Sequence, residues 1–292
     1  MKKFFTVAAS LILSAAMLTA CGSSAAPAAT TGAPETTAAA VTQAPETTEE
    51  TKSFHIAIVQ QLDHASLDEI RLAVEDELTK AAADKGFQVS YKEFNGQNDN
   101  TVLNQIGAQV VSDKYDAIIP IASLAAQCMV TAADGTNTPI IYAAVSDPAT
   151  AGLTDIPNVT GTSDALNTAF ILDMMLAAQP DVKTVGLLYS NSEANSQTPI
   201  AQAKEYLEQK GIAYIEKTGN STDEILTAAS SLVGRAEAVF TPTDNVVMAC
   251  EGAVAEILNQ AGIAHYTGAD SFVAAGALPP MITTTTSTPP PA

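Results

Sequence analysis

Short apolar runs alternate with polar loops and helix-like segments along residues 53–273. In residues 184–211, the apolar run from Val185 to Leu188 precedes the polar stretch from Ser190 to Ser196, and AQAKEYLEQKG follows as an amphipathic segment. The same order recurs in FHIAIVQQLDHASLDEI, YDAIIPIASLAAQ and AEAVFTPTDNVVMA. This alternation predicts strands connected by helices, which pair in parallel with right-handed crossovers.

The repeated pattern falls into two similar halves, predicted as lobes over residues 53–161 and 162–273. The first contains a βαβαβαβ series, after which NVTGTSD at 158–164 is interpreted as the exit from the lobe. The predicted fold class is α/β, with two Rossmann-like parallel-sheet lobes joined by a hinge. Polar loops at the carboxyl ends of such strands line ligand clefts, so we expect a ligand between the lobes.

Several residues are typical of helix ends. Gly86 follows a long helix-like segment as a C-cap should. Asn98, Asp99 or Asn100 is expected to begin the next helix, and the stretch from Asn220 to Thr222 to begin a later one.

Both chain ends lie outside the predicted lobes. Residues 1–20 have a basic start, an apolar run and small residues before Cys21, as in a secretory signal peptide. The LTAC ending resembles the bacterial lipobox, which implies lipidation of Cys21 and an anchor at the outer face of the cell membrane. Residues 21–52 are rich in Ala, Thr and Pro and predict a disordered tether. Residues 274–292 form a low-complexity tail.

Composition narrows the function. The net charge of −19 argues against nucleic acid or an anionic membrane surface as a partner. Aromatic residues total 5% and Trp is absent, which disfavours a sugar cleft.

Cys128 and Cys250 are expected to be small buried residues in separate lobes, and the sequence does not decide whether they form a disulfide. No G-x-S-x-G, H-E-x-x-H, P-loop or G-x-G-x-x-G motif occurs, so we expect neither an enzyme nor a metal or other cofactor.

Five ordered segments resemble the substrate-binding lipoproteins of one ABC transporter family, across residues 54–278: DGTNTPIIYAAVSDPATAGL, NVTGTSD, KTVGLLYSNSEANS, FTPTDN and HYTGADSFVAAGAL. That family is similar to tryptophan and aromatic amino-acid uptake proteins. The resemblance implies a type I periplasmic-binding-protein fold, two lobes that close on ligand, and a partner permease with an ATPase. The predicted function is therefore capture of an aromatic or other amino acid and its delivery to the permease. The alternatives are a sugar or a thiamine-type precursor as ligand, and a sensory lipoprotein that binds ligand without transport.

The end of the chain departs from that resemblance. After Leu278 the sequence reads PPMITTTTSTPPPA, whereas the family continues into strands and a helix that return to the first lobe. We expect that the return segment is missing and that the chain ends prematurely near residue 279.

A free amino acid needs an anionic partner for its ammonium and polar donors for its carboxylate. Asp147 and Asp244 follow strands and are candidates for the ammonium. Donors for the carboxylate are sought in the loops, at Ser123, Asn191, Ser192, Asn195 and Ser196. The resemblance adds Gln60 and His64 from the first strand–helix loop and Asn245 from the TDN loop. Asp270 is a further candidate for a ligand contact.

Each candidate also has a purely structural alternative. Asn195, Ser196, Asp244 and Asp270 are candidates for helix caps, Asp147 for a turn before Pro148, and His64 for an ordinary surface residue. The neighbouring Glu193 is interpreted as a solvated loop charge.

Overall fold

The computed structural model describes residues 51–277 of the 292-residue chain. The predicted signal peptide with Cys21, nearly all of the tether, and residues 278–292 of the predicted tail lie outside the described part. The expected premature end near residue 279 also falls on residues outside the described part.

The first lobe is a five-stranded parallel sheet with the order β2-β1-β3-β4-β5. Its strands are β1 Ser53–Gln60, β2 Gln88–Asn95, β3 Ala117–Ile121, β4 Ile140–Val145 and β5 Val159–Ser163. Its helices are α1 Ala65–Lys85, α2 Asn100–Asp113 and α3 Ser123–Ala132.

The second lobe is a four-stranded parallel sheet with the order β7-β6-β8-β9. Its strands are β6 Thr184–Tyr189, β7 Ala213–Thr218, β8 Ala238–Thr241 and β9 Ala264–Thr267. The helices that follow the first sheet are α4 Thr168–Ala178, α5 Ala194–Lys210, α6 Thr222–Leu232, α7 Asn245–Met248, α8 Glu251–Gln260 and α9 Asp270–Ala274. The two parallel lobes confirm the predicted fold class.

Continuous apolar strands arise because both faces of each sheet are covered. In β1, Ile56 and Ile58 pack into one cluster with α1, whereas Ala57 and Val59 pack into another with α2 and α3. Leu187 and Leu188 of β6 likewise belong to different clusters. Alternate side chains point to opposite faces of a strand, so a strand that is buried on both faces has to be apolar throughout.

The structure confirms three predicted helix ends. Gly86 ends α1 with φ 70°, a conformation that glycine adopts without strain. The Asp99 carboxylate accepts from Thr101 N and Val102 N at the start of α2. The Ser221 hydroxyl accepts from Glu224 N at the start of α6.

Three elements of the structure differ from the prediction. The expected exit at 158–164 contains β5, a fifth strand that pairs with β4; this edge strand has only one apolar residue, Val159, so its pattern is weak. The helix predicted from Asn245 is divided into α7 and α8 at Ala249 and Cys250, although neither residue is Gly or Pro. The α5 helix begins at Ala194, so Asn195 and Ser196 lie in its first turn.

The two cysteines of the described part are free thiols, Cys128 buried in the first lobe and Cys250 partly exposed in the second. Within residues 51–277, no helix combines the length and the apolar character needed to cross a membrane.

Candidate ligand-binding site

A cavity of about 550 Å³ lies where the carboxyl edges of the two sheets face each other. This volume falls within the range of roughly 300–1,000 Å³ typical of small-molecule sites. Apolar residues from both lobes form part of its wall: Leu67, Ile70, Ala122, Ala143, Ala144, Met248 and Ala269. The polar lining consists of Ser66, Glu69, Ser123, Ser146, Thr162, Ser163, Asp164, Asn195, Thr243, Asn245 and Asp270.

Four of the predicted binding residues lie in this cleft: Ser123, Asn195, Asn245 and Asp270. Each lies in the first turn of a helix that directly follows a strand–helix loop. The expectation that these loops meet at one cleft is therefore reproduced by the geometry.

Two alanines in the cleft wall have left-handed backbone conformations. Ala122, at the end of β3, has φ 78°, and Ala144, near the end of β4, has φ 55°. Such a conformation in a non-glycine residue costs about 1–3 kcal/mol and tends to occur at ligand sites. At Ala122 the turn places Ser123 against the cleft, with only 3% of the residue exposed.

The charged side chains that line the cleft in the described structure are all acidic: Glu69, Asp164 and Asp270. Burial raises the pKa of the Asp164 carboxyl. Its Oδ1 is buried and has no hydrogen-bond partner among residues 51–277. A buried acceptor without a donor is unfavourable, so the Asp164 carboxyl can accept from a cationic or hydrogen-bond-donating ligand group.

Asp244, the first candidate for the ammonium, does not line the cleft and is fully buried. Its Oδ2 accepts from Ser190 N at 2.7 Å and from the Ser196 hydroxyl at 2.6 Å. Its Oδ1 accepts from Val246 N and Val247 N, both at 3.0 Å. Four protein donors satisfy this carboxylate, so it fastens the loop after β6 to the start of α7 and leaves no oxygen facing a ligand.

The interpretation of Glu193 as a solvated charge is wrong, because the residue is only 2% exposed. Its Oε1 accepts from Gln61 Nε2 of the first lobe at 2.8 Å, and its Oε2 accepts from Asn245 Nδ2 at 2.8 Å. Burial, followed by the nearby Asp244 charge, raises the pKa of Glu193 to about 7. Glu193 therefore belongs to the contact between the lobes.

Three more candidates from the first lobe lie outside the cleft lining. Gln60 is buried and donates to Leu62 O at 2.6 Å and to Asp68 Oδ1 at 2.8 Å, so it holds the loop before α1. The His64 Nδ1 accepts from Ser66 N as the cap of α1, and its Nε2 lies 3.2 Å from Glu251 Oε1 in the second lobe.

The third, Asp147, closes a turn by accepting from Thr150 N at 3.0 Å. Its Oδ2 also accepts from the Thr198 hydroxyl of the second lobe at 2.6 Å. These hydrogen bonds lower the pKa of Asp147, the bond from Thr150 N most of all. Like His64, it connects the lobes.

The remaining second-lobe candidates are directed elsewhere. Asn191 is exposed and donates to Thr218 Oγ1 at 3.1 Å, and the Ser192 hydroxyl pairs with that of Ser190 at 2.7 Å. Ser196 is fully buried against Asp244. Asn195, by contrast, lines the cleft, and its Nδ2 donates to Thr243 O rather than capping its helix.

Some polar residues of the cleft were not predicted, although they adjoin predicted binding residues. Ser146 precedes Asp147, and Thr243 precedes Asp244. Asp164 ends the NVTGTSD segment, which was assigned to an exit rather than to the site. The available signal was the position at a strand end, but a position cannot tell which of two adjacent side chains faces the cleft.

Within the part of the chain that the structure describes, no three His, Cys, Asp or Glu side chains are grouped closely enough to hold a metal ion.

Comparisons with known proteins agree with this architecture. The chain is 32% identical over 240 residues to a tyrosine-binding protein of Clostridioides difficile, a match that covers 79% of this chain and 68% of the relative. It is 30% identical to an ABC domain from Streptococcus pneumonia solved in complex with L-Trp, with a TM-score of 0.73 and coverage of 78% of each chain.

A third comparison is with a structure described as open. The ligand-free, open structure of a substrate-binding protein with adhesive properties from Clostridium difficile is 32% identical, covers 77% of each chain, and gives a TM-score of 0.52.

The family-level match covers most of the chain. Residues 55–286 match the family described as ABC transporter substrate binding protein. Its members are extracytoplasmic solute-binding proteins rather than enzymes, and they work with permease components. With two parallel α/β lobes around a small-molecule cleft, this chain belongs to the ABC transporter substrate binding protein family.

Proposed function

We propose that the protein captures a free aromatic amino acid between its lobes and delivers it to an ABC permease, while a lipid on Cys21 anchors it to the membrane. The observation that carries the choice of an amino acid is the unpartnered, buried Oδ1 of Asp164 in a cleft whose described charged residues are all acidic. Relatives that bind tyrosine and L-Trp support the aromatic class.

The two ends of an amino acid find complementary groups in the cleft. The ammonium pairs with Asp164, which replaces Asp244 as its partner, because a cation offsets the cost of burying that carboxylate. The carboxylate lies at the start of α3, where the Ser123 hydroxyl and the helix N-terminus favour an anion.

The side chain of the ligand has an apolar wall available. Leu67 and Ile70 of α1 face the cleft from the first lobe, and Met248 faces it from the second. A ring placed there is removed from water, which contributes about 25 cal/mol per Å² of apolar surface buried. No aromatic side chain is among the described residues of the lining, so the stacking platform that usually holds a sugar is missing from that wall.

The test is isothermal titration of the full chain with L-tyrosine, L-tryptophan, L-leucine, a hexose and a thiamine precursor. We expect the aromatic amino acids to bind most tightly. A ligand at a hundredfold excess over its Kd stabilises the fold by about 2.7 kcal/mol, which a thermal melt detects independently. Binding of only the hexose or the thiamine precursor would refute the proposal.

Asp164→Asn tests the proposed ammonium contact. This variant keeps the shape of the side chain and removes its charge, so the Kd for L-tyrosine should rise about ten- to hundredfold, the equivalent of ~1.5–3 kcal/mol for a charged hydrogen bond. Asp181→Asn makes the same charge change at an exposed residue outside the cleft lining and should leave the Kd unchanged. Equal affinities for the two variants would remove Asp164 from the site.

Lipidation and delivery have separate tests. Cys21→Ala should release the protein from the membrane fraction of the producing cell without changing the Kd. Uptake of labelled ligand should require the partner permease; binding without any uptake would favour a sensory role.

A further inference from the structure

Glu193 occupies an unusual place for a carboxyl group, because it is buried at the meeting point of both lobes. Its carboxyl accepts a hydrogen bond from Gln61 Nε2 of the first lobe and another from Asn245 Nδ2 of α7. Since Asn245 lines the cleft, Glu193 connects a ligand-facing amide of one lobe to a side chain of the other.

The orientation of Gln61 is determined by its other partners. Its Oε1 accepts from Leu124 N in the first turn of α3 at 3.2 Å, and a backbone N–H can only donate. The Gln61 Nε2 must therefore face the opposite way, where it donates to both Asn98 Oδ1 and Glu193 Oε1. This connection forms only when the lobes meet.

The carbonyl oxygen of the Asn195 side chain has no hydrogen-bond donor among the described residues. Asn195 lies beside the Glu193 carboxyl, and its Nδ2 donates to Thr243 O. Its Oδ1 is buried and accepts no hydrogen bond from residues 51–277. The hydrogen bond between the Asn195 amide and the Glu193 carboxyl favours the ionised form, so burial and the Asp244 charge must outweigh it for Glu193 to hold a proton.

Glu193 and Asp244 are two buried carboxyls that differ in the hydrogen-bond donors around them. Asp244 is the charged group that acts on Glu193 among the described residues, and it accepts four hydrogen bonds, two of them from the start of α7. Glu193 accepts two from neutral amides. Burial raises the pKa of both carboxyls. Two nearby buried carboxyls cannot both ionise without cost, and the four donors of Asp244 favour its ionised form, so Asp244 keeps the charge and Glu193 takes the proton.

We propose that Glu193 is a positioning residue that takes up a proton as the lobes close on ligand, so that ligand affinity increases as the pH falls. When the lobes separate, Gln61 withdraws and water reaches the carboxyl, which then ionises as an ordinary glutamate. The inference rests on the proposed function and adds its regulation by pH.

The direction follows from proton linkage. Burial in the closed arrangement, followed by the nearby Asp244 charge, raises the pKa of Glu193 to about 7, although the hydrogen bonds from Asn245 and Gln61 act in the opposite direction. The protonated, closed form is therefore favoured below pH ~7, and this advantage disappears as the pH rises through that value. Relative to a variant that cannot titrate at this position, affinity should increase about tenfold from pH 8 to pH 6.

Other ionisable groups lie near the same interface, and their effects must be separated from that of Glu193. His64 and Glu251 face each other across the lobes, and Asp164 lies in the cleft. Asp147 accepts a hydrogen bond from Thr198 across the lobes, and its lowered pKa keeps it ionised over the pH range of the experiment. A ratio of affinities between wild type and Glu193→Gln cancels contributions that the two proteins share.

The experiment titrates the full chain with L-tyrosine and L-tryptophan between pH 5 and pH 8, in two buffers of different ionisation enthalpy. At pH 6 the wild type should take up about 0.9 proton more per ligand than Glu193→Gln. Glu251→Gln, which removes the carboxyl that faces His64 across the lobes, should keep the uptake that depends on Glu193. Equal uptake by wild type and Glu193→Gln, or a constant affinity ratio, would overturn the inference while leaving the proposed function intact.

A second measurement uses the wild type alone and does not depend on folding of the variant. Infrared spectra of the ligand complex at pH 6 should contain the carbonyl band of a protonated carboxyl, and its absence would overturn the inference. If neither amino acid binds at any pH, the proposed function is refuted and this inference with it.

Discussion

Asp244 provides the sharpest test of how the second lobe is held together. Replacing it with Ala removes the acceptor for four donors: Ser190 N–H, the Ser196 hydroxyl, and the N–H groups of Val246 and Val247 in α7. All four donors bond to the Asp244 carboxylate, which is fully buried. The expected result is a large loss of stability, in addition to any effect on ligand.

The magnitude follows from these contacts. A buried donor left without an acceptor costs about 1–3 kcal/mol, which applies to Ser190 N and to Ser196 Oγ. Loss of the α7 cap adds about 0.5–2 kcal/mol. Relief of the repulsion with Glu193 and of the burial of a charge offsets part of this, so we expect a decrease of about 3–5 kcal/mol in the free energy of unfolding. That is a large share of the ~5–15 kcal/mol typical of a folded domain.

The assay is urea denaturation followed by far-UV circular dichroism, with Asp99→Ala as the matched control. Asp99 caps α2 through the same pair of backbone bonds, to Thr101 N and Val102 N, but is exposed and holds no second loop. Asp99→Ala should therefore lose less stability. Asp244→Asn keeps an oxygen for the cap and should fall between the wild type and Asp244→Ala. A decrease for Asp244→Ala no larger than that for Asp99→Ala would refute the reasoning.

Two further substitutions examine closure and close packing. Thr198→Val removes the hydroxyl that donates to Asp147 across the lobes; losing about 1 kcal/mol from the closed form should weaken ligand binding about fivefold in a titration. Gly268→Ala places a Cβ 2.9 Å from Thr243 Oγ1 in the cleft wall, so a thermal melt should show destabilisation of about 1–3 kcal/mol. Gly252→Ala, where a Cβ meets nothing within 4 Å, is its control, and an equal melting temperature for the two variants would contradict the packing argument.

Most of the strands and helices could be predicted because their signals are local. Burial on both faces gives β1 and β6 uninterrupted apolar runs, at 56–59 and 185–188. Gly86, Asp99 and Ser221 act on backbone groups within a few residues. The edge strand β5 was missed because an edge position demands little apolar sequence. The division between α7 and α8 has no local signal of the Gly or Pro type.

The sequence by itself determined the α/β architecture and the loops that surround the cleft, since parallel strands bring their carboxyl ends to one edge whatever the side chains are. Which side chain of each loop faces the ligand depended on contacts between distant parts of the chain. Glu193 is buried because Gln61, 132 residues away in sequence, donates to it from the other lobe. Asp244 is unavailable to ligand because Ser190, 54 residues away, already occupies its carboxylate. Charge and polarity are properties of a residue, but burial and hydrogen-bond satisfaction are properties of its surroundings, which form only when the lobes pack.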